Sequence, residues 1–219
     1  MPARLRPTAP IAADAVLVGD PGRALMLAQA LLEQPKMSNH ARGLWGYSGK
    51  TPDGHDLSIQ ATGMGGPSAA LVLADLAELG VRWAIRVGTC TALDPDLGTG
   101  QLLAITEAHA WGGGGAGERV AADARLTKRL VAELGDEARP ATVASLDTLH
   151  GGGIPAPVAA GDAADMQTAT LFSRGGQLGV ALAAVLIVTA SASGEQIEDE
   201  ASDVAASRAG RAASAVLST

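Results

Sequence analysis

Apolar and polar positions along this chain alternate between two rhythms. "AVLVGD" is a short unbroken apolar run closed by Gly19 and Asp20. Pro21 then opens the alanine- and leucine-rich "GRALMLAQALLEQ", so the pattern predicts strand, turn and a helix running to Gln34. In "GLWGYSGKTPDGHDLSIQATG" a Pro-Asp-Gly turn separates two β-compatible runs, which predicts a hairpin. "GMGGPSAALVLADLAELG" repeats the strand-to-helix grammar, with Pro67 and Ser68 at the helix start and Gly80 at its end. "VRWAIRVG" and "GQLLAITEAHAW" read as strands, "ADARLTKRLVAELG" as a helix and "ATVASL" as another strand. A helix from about Asp165 to Gln177, the strand "VALAAVLIV" and a last helix in "EDEASDVAASRAGRAASAVL" complete the order. Strands alternating with amphipathic helices predict an α/β sandwich with a central mixed sheet, and no linker or long-period repeat divides residues 1–219, so one domain is expected.

Composition narrows the possible partners. The 219 residues are 47% hydrophobic but only 2% aromatic, so close approach of elements must fill the core in place of large rings. Sixteen basic against twenty-three acidic residues give a net charge of −7, which argues against broad nucleic-acid or membrane surfaces. Cys90 is the only cysteine, which excludes an intrachain disulfide and a Cys-rich zinc site and fits a reducing compartment. "MPARLRPTAPIAADAV" has no apolar signal core and no apolar run is long enough to span a bilayer, so a cytoplasmic protein is expected. "WGGGGAG" and "HGGGIPAP" are flexible enough to be loops over a site or plain surface connections.

The position that breaks the pattern is Arg86, at the end of the apolar strand "AIRVG". A buried guanidinium must be paired with an internal carboxylate or hold an anionic ligand, because losing a buried partner costs about 3–5 kcal/mol. Three strand-to-loop junctions share this polar character: Gly19 with Arg23, the "GMGGPS" turn, and Arg86 with Thr89. Ligands of open α/β sheets gather beyond strand ends, where turn amides and forked arginine donors favour an anion. Arg42 in "HARG" adds another guanidinium; as sequence alone, Arg23 and Arg42 fit solvated surface groups better than ligand-binding ones.

Taken in order, "VLVGDPGR", "HARGLWGYSG", "GMGGPS" and "IRVGTC" closely resemble the hexameric-type purine nucleoside phosphorylases and their uridine phosphorylase relatives. The resemblance runs from about Ala13 through Ala92 and resumes at "DMQTATLF" and in the last helix. It implies a three-layer α/β sandwich around a mixed, barrel-like sheet. It also implies phosphorolysis, in which inorganic phosphate displaces a nucleobase from a ribosyl C1′. By the resemblance, Gly19, Arg23, Arg86 and Thr89 cradle the phosphate, and Arg42 serves the site of a neighbouring subunit. A homo-oligomer follows, with a dimer as the smallest active unit and a hexamer as the expected assembly. Phosphate is a co-substrate; no cofactor or metal is implied.

The same resemblance marks departures. Met64 and Met166 match residues that line the ribose, with core filling as the plain alternative for Met64, but Gln167 stands where a carboxylate accepts from the ribose hydroxyls. Thr189 and Ala190 fall where a Ser-Asp pair assists the leaving purine, and alanine offers no proton; Ser191, Ser193 or Glu195 are the nearby substitutes. Thr91 replaces a glycine beside Cys90 near the base, and Leu149 or His150 lines the wall where an aromatic is usual. No residue is therefore assigned as the catalytic acid. The expected activity is a nucleoside phosphorylase for a purine or modified nucleoside. A uridine-type phosphorylase, a phosphate-independent nucleoside hydrolase and a non-catalytic nucleoside- or phosphate-binding relative are the alternatives.

Overall fold

The computed structural model describes residues 4–111, 117–148 and 161–219. Strand β1 (Asp14–Val18) is buried almost throughout and lies between two parallel partners, β4 (Asp56–Ala61) and β5 (Trp83–Ala92), which explains its continuous apolar run. The expected hairpin is β3 (Gly46–Lys50) antiparallel to β4, and β2 (Glu33–Asn39) extends the sheet beyond β3. On the other side, β5 continues through β9 (Ala163–Asp165), β8 (Ala138–Ser145), β6 (Leu102–Ala110) and β10 (Ala181–Ala190). Because β10 also pairs with β5 in parallel, these five strands close on themselves into a mixed barrel, with β7 (Arg119–Ala121) as a short flange on β6.

Five helices cover the sheet in the expected three layers. Helices α2 (Gly65–Glu78) and α4 (Thr168–Leu178) share one apolar core, built around Leu73, Leu76, Leu171 and Phe172. The opposite core receives α1 (Pro21–Leu31), α3 (Ala124–Leu134) and α5 (Asp199–Leu217). Asp20 caps α1 by accepting from the Arg23 amide, and Asp123 caps α3 through the Leu126 amide, each satisfying a donor that the first turn leaves free. Helix α5 is rich in alanine because it lies close to its neighbours: a Cβ on Gly210 would sit 2.6 Å from Leu27 of α1.

Two boundaries differ from the expected ones. The helix expected to reach Gln34 stops at Leu31, and Glu33–Asn39 is a strand whose Gln34 has a positive φ of 48°. Its polar, proline-bearing sequence carries little strand signal, and it is tolerated because β2 lies at the edge of the sheet. The helix expected from Asp165 begins at Thr168; Asp165 is instead the last residue of β9, held by pairing to both β5 and β8.

Candidate functional site at the carboxyl ends of the parallel strands

The carboxyl ends of β1, β4 and β5 bring the Gly19, Gly63 and Arg86 junctions together. Strand β1 hands the chain to Gly19, and a Cβ there would lie 3.6 Å from the Gly63 carbonyl oxygen. Gly63 and Gly65 take φ values of 73° and 78°, a left-handed geometry that glycine adopts without strain. The turn between them is tied down by Ser68, whose hydroxyl donates to the Thr62 carbonyl at 2.6 Å.

Arg86 is 5% exposed and is held by three residues around the start of α4. Its Nη2 donates to Asp165 Oδ2 at 3.1 Å, its Nη1 to Gln167 Oε1 at 2.7 Å and its Nε to Thr168 Oγ1 at 3.2 Å. The internal carboxylate that a buried arginine calls for is therefore Asp165. That carboxylate is in turn saturated: Ser145 Oγ donates to it at 2.5 Å and Thr168 Oγ1 at 2.6 Å, while the Thr168 amide donates at 3.1 Å. Gly88 makes this possible, since a Cβ there would fall 2.5 Å from Arg86 Cζ.

Arg23, on the first turn of α1, shares this electrostatic environment. Burial lowers its pKa, the Arg86 charge pushes the same way, and Asp20 and Asp203 oppose the shift. Its Nε is buried without a hydrogen-bond partner among the described residues. Two guanidinium groups that repel one another, one with an orphaned donor, form a place suited to an anion. Arg23 is thus partly buried, and is not the solvated surface group that the sequence also allowed.

The sheet register assembles the other expected residues beside this cluster. β5 and β10 pair Thr89 with Ile187, Cys90 with Val188 and Thr91 with Ala190, while Thr91 faces Ala164 on β9. Thr189 spends its hydroxyl on the Cys90 carbonyl at 3.2 Å, and Ala190 is a buried strand end that bridges to Gln196. The Cys90 thiol is pushed above its ordinary range, chiefly by burial, so it is a poor nucleophile. Ser191 and Ser193 bond to each other at 2.9 Å in an exposed turn, and the Glu195 side chain is exposed. Met166 is half-buried between Asp165 and Gln167. Met64, at 89% exposure, is no core filler; it projects at the N-terminus of α2. Arg42 is exposed with φ at 60°, and among the described residues it has no ion-pair or hydrogen-bond partner. Leu149 and His150 lie outside the described residues.

Sequence reasoning overlooked Asp165, Thr168 and Thr62. The spacing of Asp165 and Thr168 is the signal that was available, because an aspartate three residues before a helix-starting threonine can accept from its amide. A separate depression of about 870 Å³ lies at the amino ends of the strands, lined by Asp14, Lys50 and His55 among others, well away from the arginine cluster. Among the described residues no helix is long and apolar enough to cross a membrane, and no group of three metal-ligating side chains comes together.

Comparison with known proteins bears on this arrangement. The sequence profile of the phosphorylase superfamily matches residues 14–219. The chain belongs to that superfamily. Within it, 94 residues are 42% identical to a DeoD-type purine nucleoside phosphorylase of Oceanobacillus iheyensis, covering 42% of this chain and 40% of the relative. A DeoD-type enzyme of Caldanaerobacter subterraneus is 43% identical over 88 residues, 40% of this chain and 38% of that one. These matches thus span about two fifths of the length of the curated relatives. The solved purine nucleoside phosphorylase of Toxoplasma gondii in complex with immucillin-H superposes at a TM-score of 0.83, with 21% identity over 94% of this chain and 91% of the other. The uridine phosphorylase of Vibrio fischeri superposes at 0.82, with 20% identity over 94% and 92%. The fold of this superfamily member is therefore shared by neighbours of both names, and it favours neither base class.

Proposed function

We propose that this member of the superfamily is a nucleoside phosphorylase, acting on a purine or modified nucleoside with inorganic phosphate to give the free base and a pentose 1-phosphate. The observation that carries the reading is the orphaned Arg23 Nε in the field of Arg86, next to a turn whose Gly63 and Gly65 take left-handed φ. Phosphate held there by Arg23, Arg86, Thr89 and the Gly19 amide would approach C1′ on the face opposite the base. The C1′–N bond breaks with its electron pair going to the base, a phosphate oxygen forms the new bond to C1′, and the proton of hydrogen phosphate completes the base. Fixed guanidinium groups help because they hold the dianion against the developing ribosyl cation without reorganising. With no carboxyl group at Ala190, the base must leave with less assistance, which suits bases that are good leaving groups.

Arg42 fits the same reading as a contribution to a neighbouring subunit. It is exposed, unpartnered among the described residues and held in a left-handed turn, so it can reach outward from its own chain. A homo-oligomer, dimeric at least and hexameric in full, working in the cytoplasm without metal or cofactor, completes the proposal. The experiment is free-base release from purine, pyrimidine and modified nucleosides with and without inorganic phosphate. Release that requires phosphate and yields one pentose 1-phosphate per base is the expected result. Release that ignores phosphate identifies a hydrolase, and no release from any substrate favours a binding protein.

A further inference from the structure

Resemblance places Gln167 at the sugar, as a weakened substitute for a carboxylate. Its surroundings assign it another task. The side chain is 3% exposed and both ends of its amide are already engaged by the protein. Arg86 Nη1 donates to its Oε1 at 2.7 Å; Thr62 Oγ1 stands 3.0 Å from the same oxygen and 2.9 Å from the Val18 carbonyl, and its single proton serves one of the two. Its Nε2 donates to the Gly63 carbonyl at 2.6 Å and approaches the Gly65 carbonyl at 3.4 Å. The orientation of the amide is dictated by chemistry, since a guanidinium can only donate and a peptide carbonyl can only accept. A carboxylate cannot satisfy both neighbours: one of its oxygens would face the Gly63 carbonyl, lone pair against lone pair. It would also be the second anion on Arg86, alongside Asp165.

We infer that Gln167 is a positioning residue, a neutral latch that fixes the Arg86 guanidinium to the 62–65 turn, and that it is not the acceptor for the sugar hydroxyls. The inference rests on the phosphorylase reading for its kinetic consequences, but the latch itself is a matter of geometry. It reverses the expectation for Gln167→Glu. A sugar acceptor would be improved by the carboxylate, through charge-assisted hydrogen bonds to the hydroxyls. A latch would be broken by it, and only while the carboxyl is ionised: a protonated glutamic acid regains a donor at one oxygen and keeps an acceptor at the other, and can bridge Arg86 to Gly63 again, without glutamine's second N–H.

The test compares wild type, Gln167→Glu and Gln167→Met from pH 5 to pH 8, with phosphate affinity measured calorimetrically, the KM values of phosphate and nucleoside measured separately, and thermal midpoints recorded. The latch predicts that Gln167→Glu weakens phosphate binding by about tenfold or more at pH 8, relative to wild type at the same pH. It also predicts recovery towards wild type at pH 5, with nucleoside KM nearly unchanged. Gln167→Met keeps the volume and removes every polar contact, so its phosphate affinity falls at all pH values, and it stands in if the glutamate variant does not fold. The inference is overturned if Gln167→Glu turns over as fast as wild type or faster with tighter nucleoside binding. It is equally overturned if Gln167→Met binds phosphate normally. The phosphorylase reading fails separately, when the wild type releases no base in response to phosphate; the pH-dependent thermal midpoint of Gln167→Glu still tests the latch in that case.

Discussion

The two ends of the candidate cleft are built on opposite plans. At the anion end, Arg86, Asp165, Gln167 and Thr168 are buried together and each constrains the others at 2.6–3.2 Å. At the other end, β10 finishes in Thr189 and Ala190, where one hydroxyl bonds to a backbone carbonyl and the next side chain is a methyl group. A buried polar network costs much to assemble and more to leave incomplete, so it keeps its geometry; a strand end with one ordinary hydrogen bond has little to lose. Substitutions at the two ends should therefore differ in size as well as in kind.

The largest effect is expected from Arg86→Met. It leaves the Asp165 carboxylate, whose side chain is fully buried, without its counter-charge, and should cost about 3–5 kcal/mol in denaturant unfolding. On the proposed phosphorolysis, phosphate-dependent base release should fall by about a hundredfold or more, because a fixed donor to the anion would be lost. A variant as stable as wild type would show that the two ends do not differ in the way their contacts indicate. Gly88→Ala probes the same end more gently. The added methyl meets the guanidinium at Cζ, so the arginine must move, at about 1–3 kcal/mol, and phosphate KM should rise more than nucleoside KM.

At the β10 end, Thr189→Val removes only the hydrogen bond to the Cys90 carbonyl and keeps the side-chain shape. About 1 kcal/mol of stability and a less than threefold change in base release are expected, read by the same two assays. A loss approaching that of Arg86→Met would instead place Thr189 in direct contact with the reacting base.

The same contrast governs what could be read from sequence. Arg86 was conspicuous because a guanidinium interrupts an apolar strand, and both of its possible partners followed from electrostatics. The identity of Asp165 was hidden, because it depends on a three-residue strand that pairs with β8 and with the far more distant β5. Gln167 was legible as a departure from a resembled motif, but its engagement by Arg86 and Gly63 exists only once three distant segments meet. The strand-turn-helix grammar was plain wherever glycine, proline and an apolar run coincided, and it failed at β2, whose "EQPKMSN" owes its conformation to a neighbouring strand rather than to its own residues.

A third region, at the amino ends of the strands, provides the control for this comparison. Asp14, where β1 begins, lies 2.8 Å from His55 Nε2, outside the arginine cluster. Its carboxyl is held above the ordinary value of 3.8, mainly by burial, while His55 pulls in the opposite direction. A raised carboxyl pKa means that the folded state binds the proton more tightly than the unfolded chain does. The associated stability is complete below 3.8 and is lost as pH rises through the higher folded value. Asp14→Asn carries no proton to lose. Its thermal midpoint should match that of wild type near pH 3 and exceed it once the pH has risen through the folded Asp14 value, with base release unchanged. A midpoint below wild type at neutral pH would mean that attraction between Asp14 and His55 outweighs burial, and that this end too is organised around a charge pair rather than merely tolerating one.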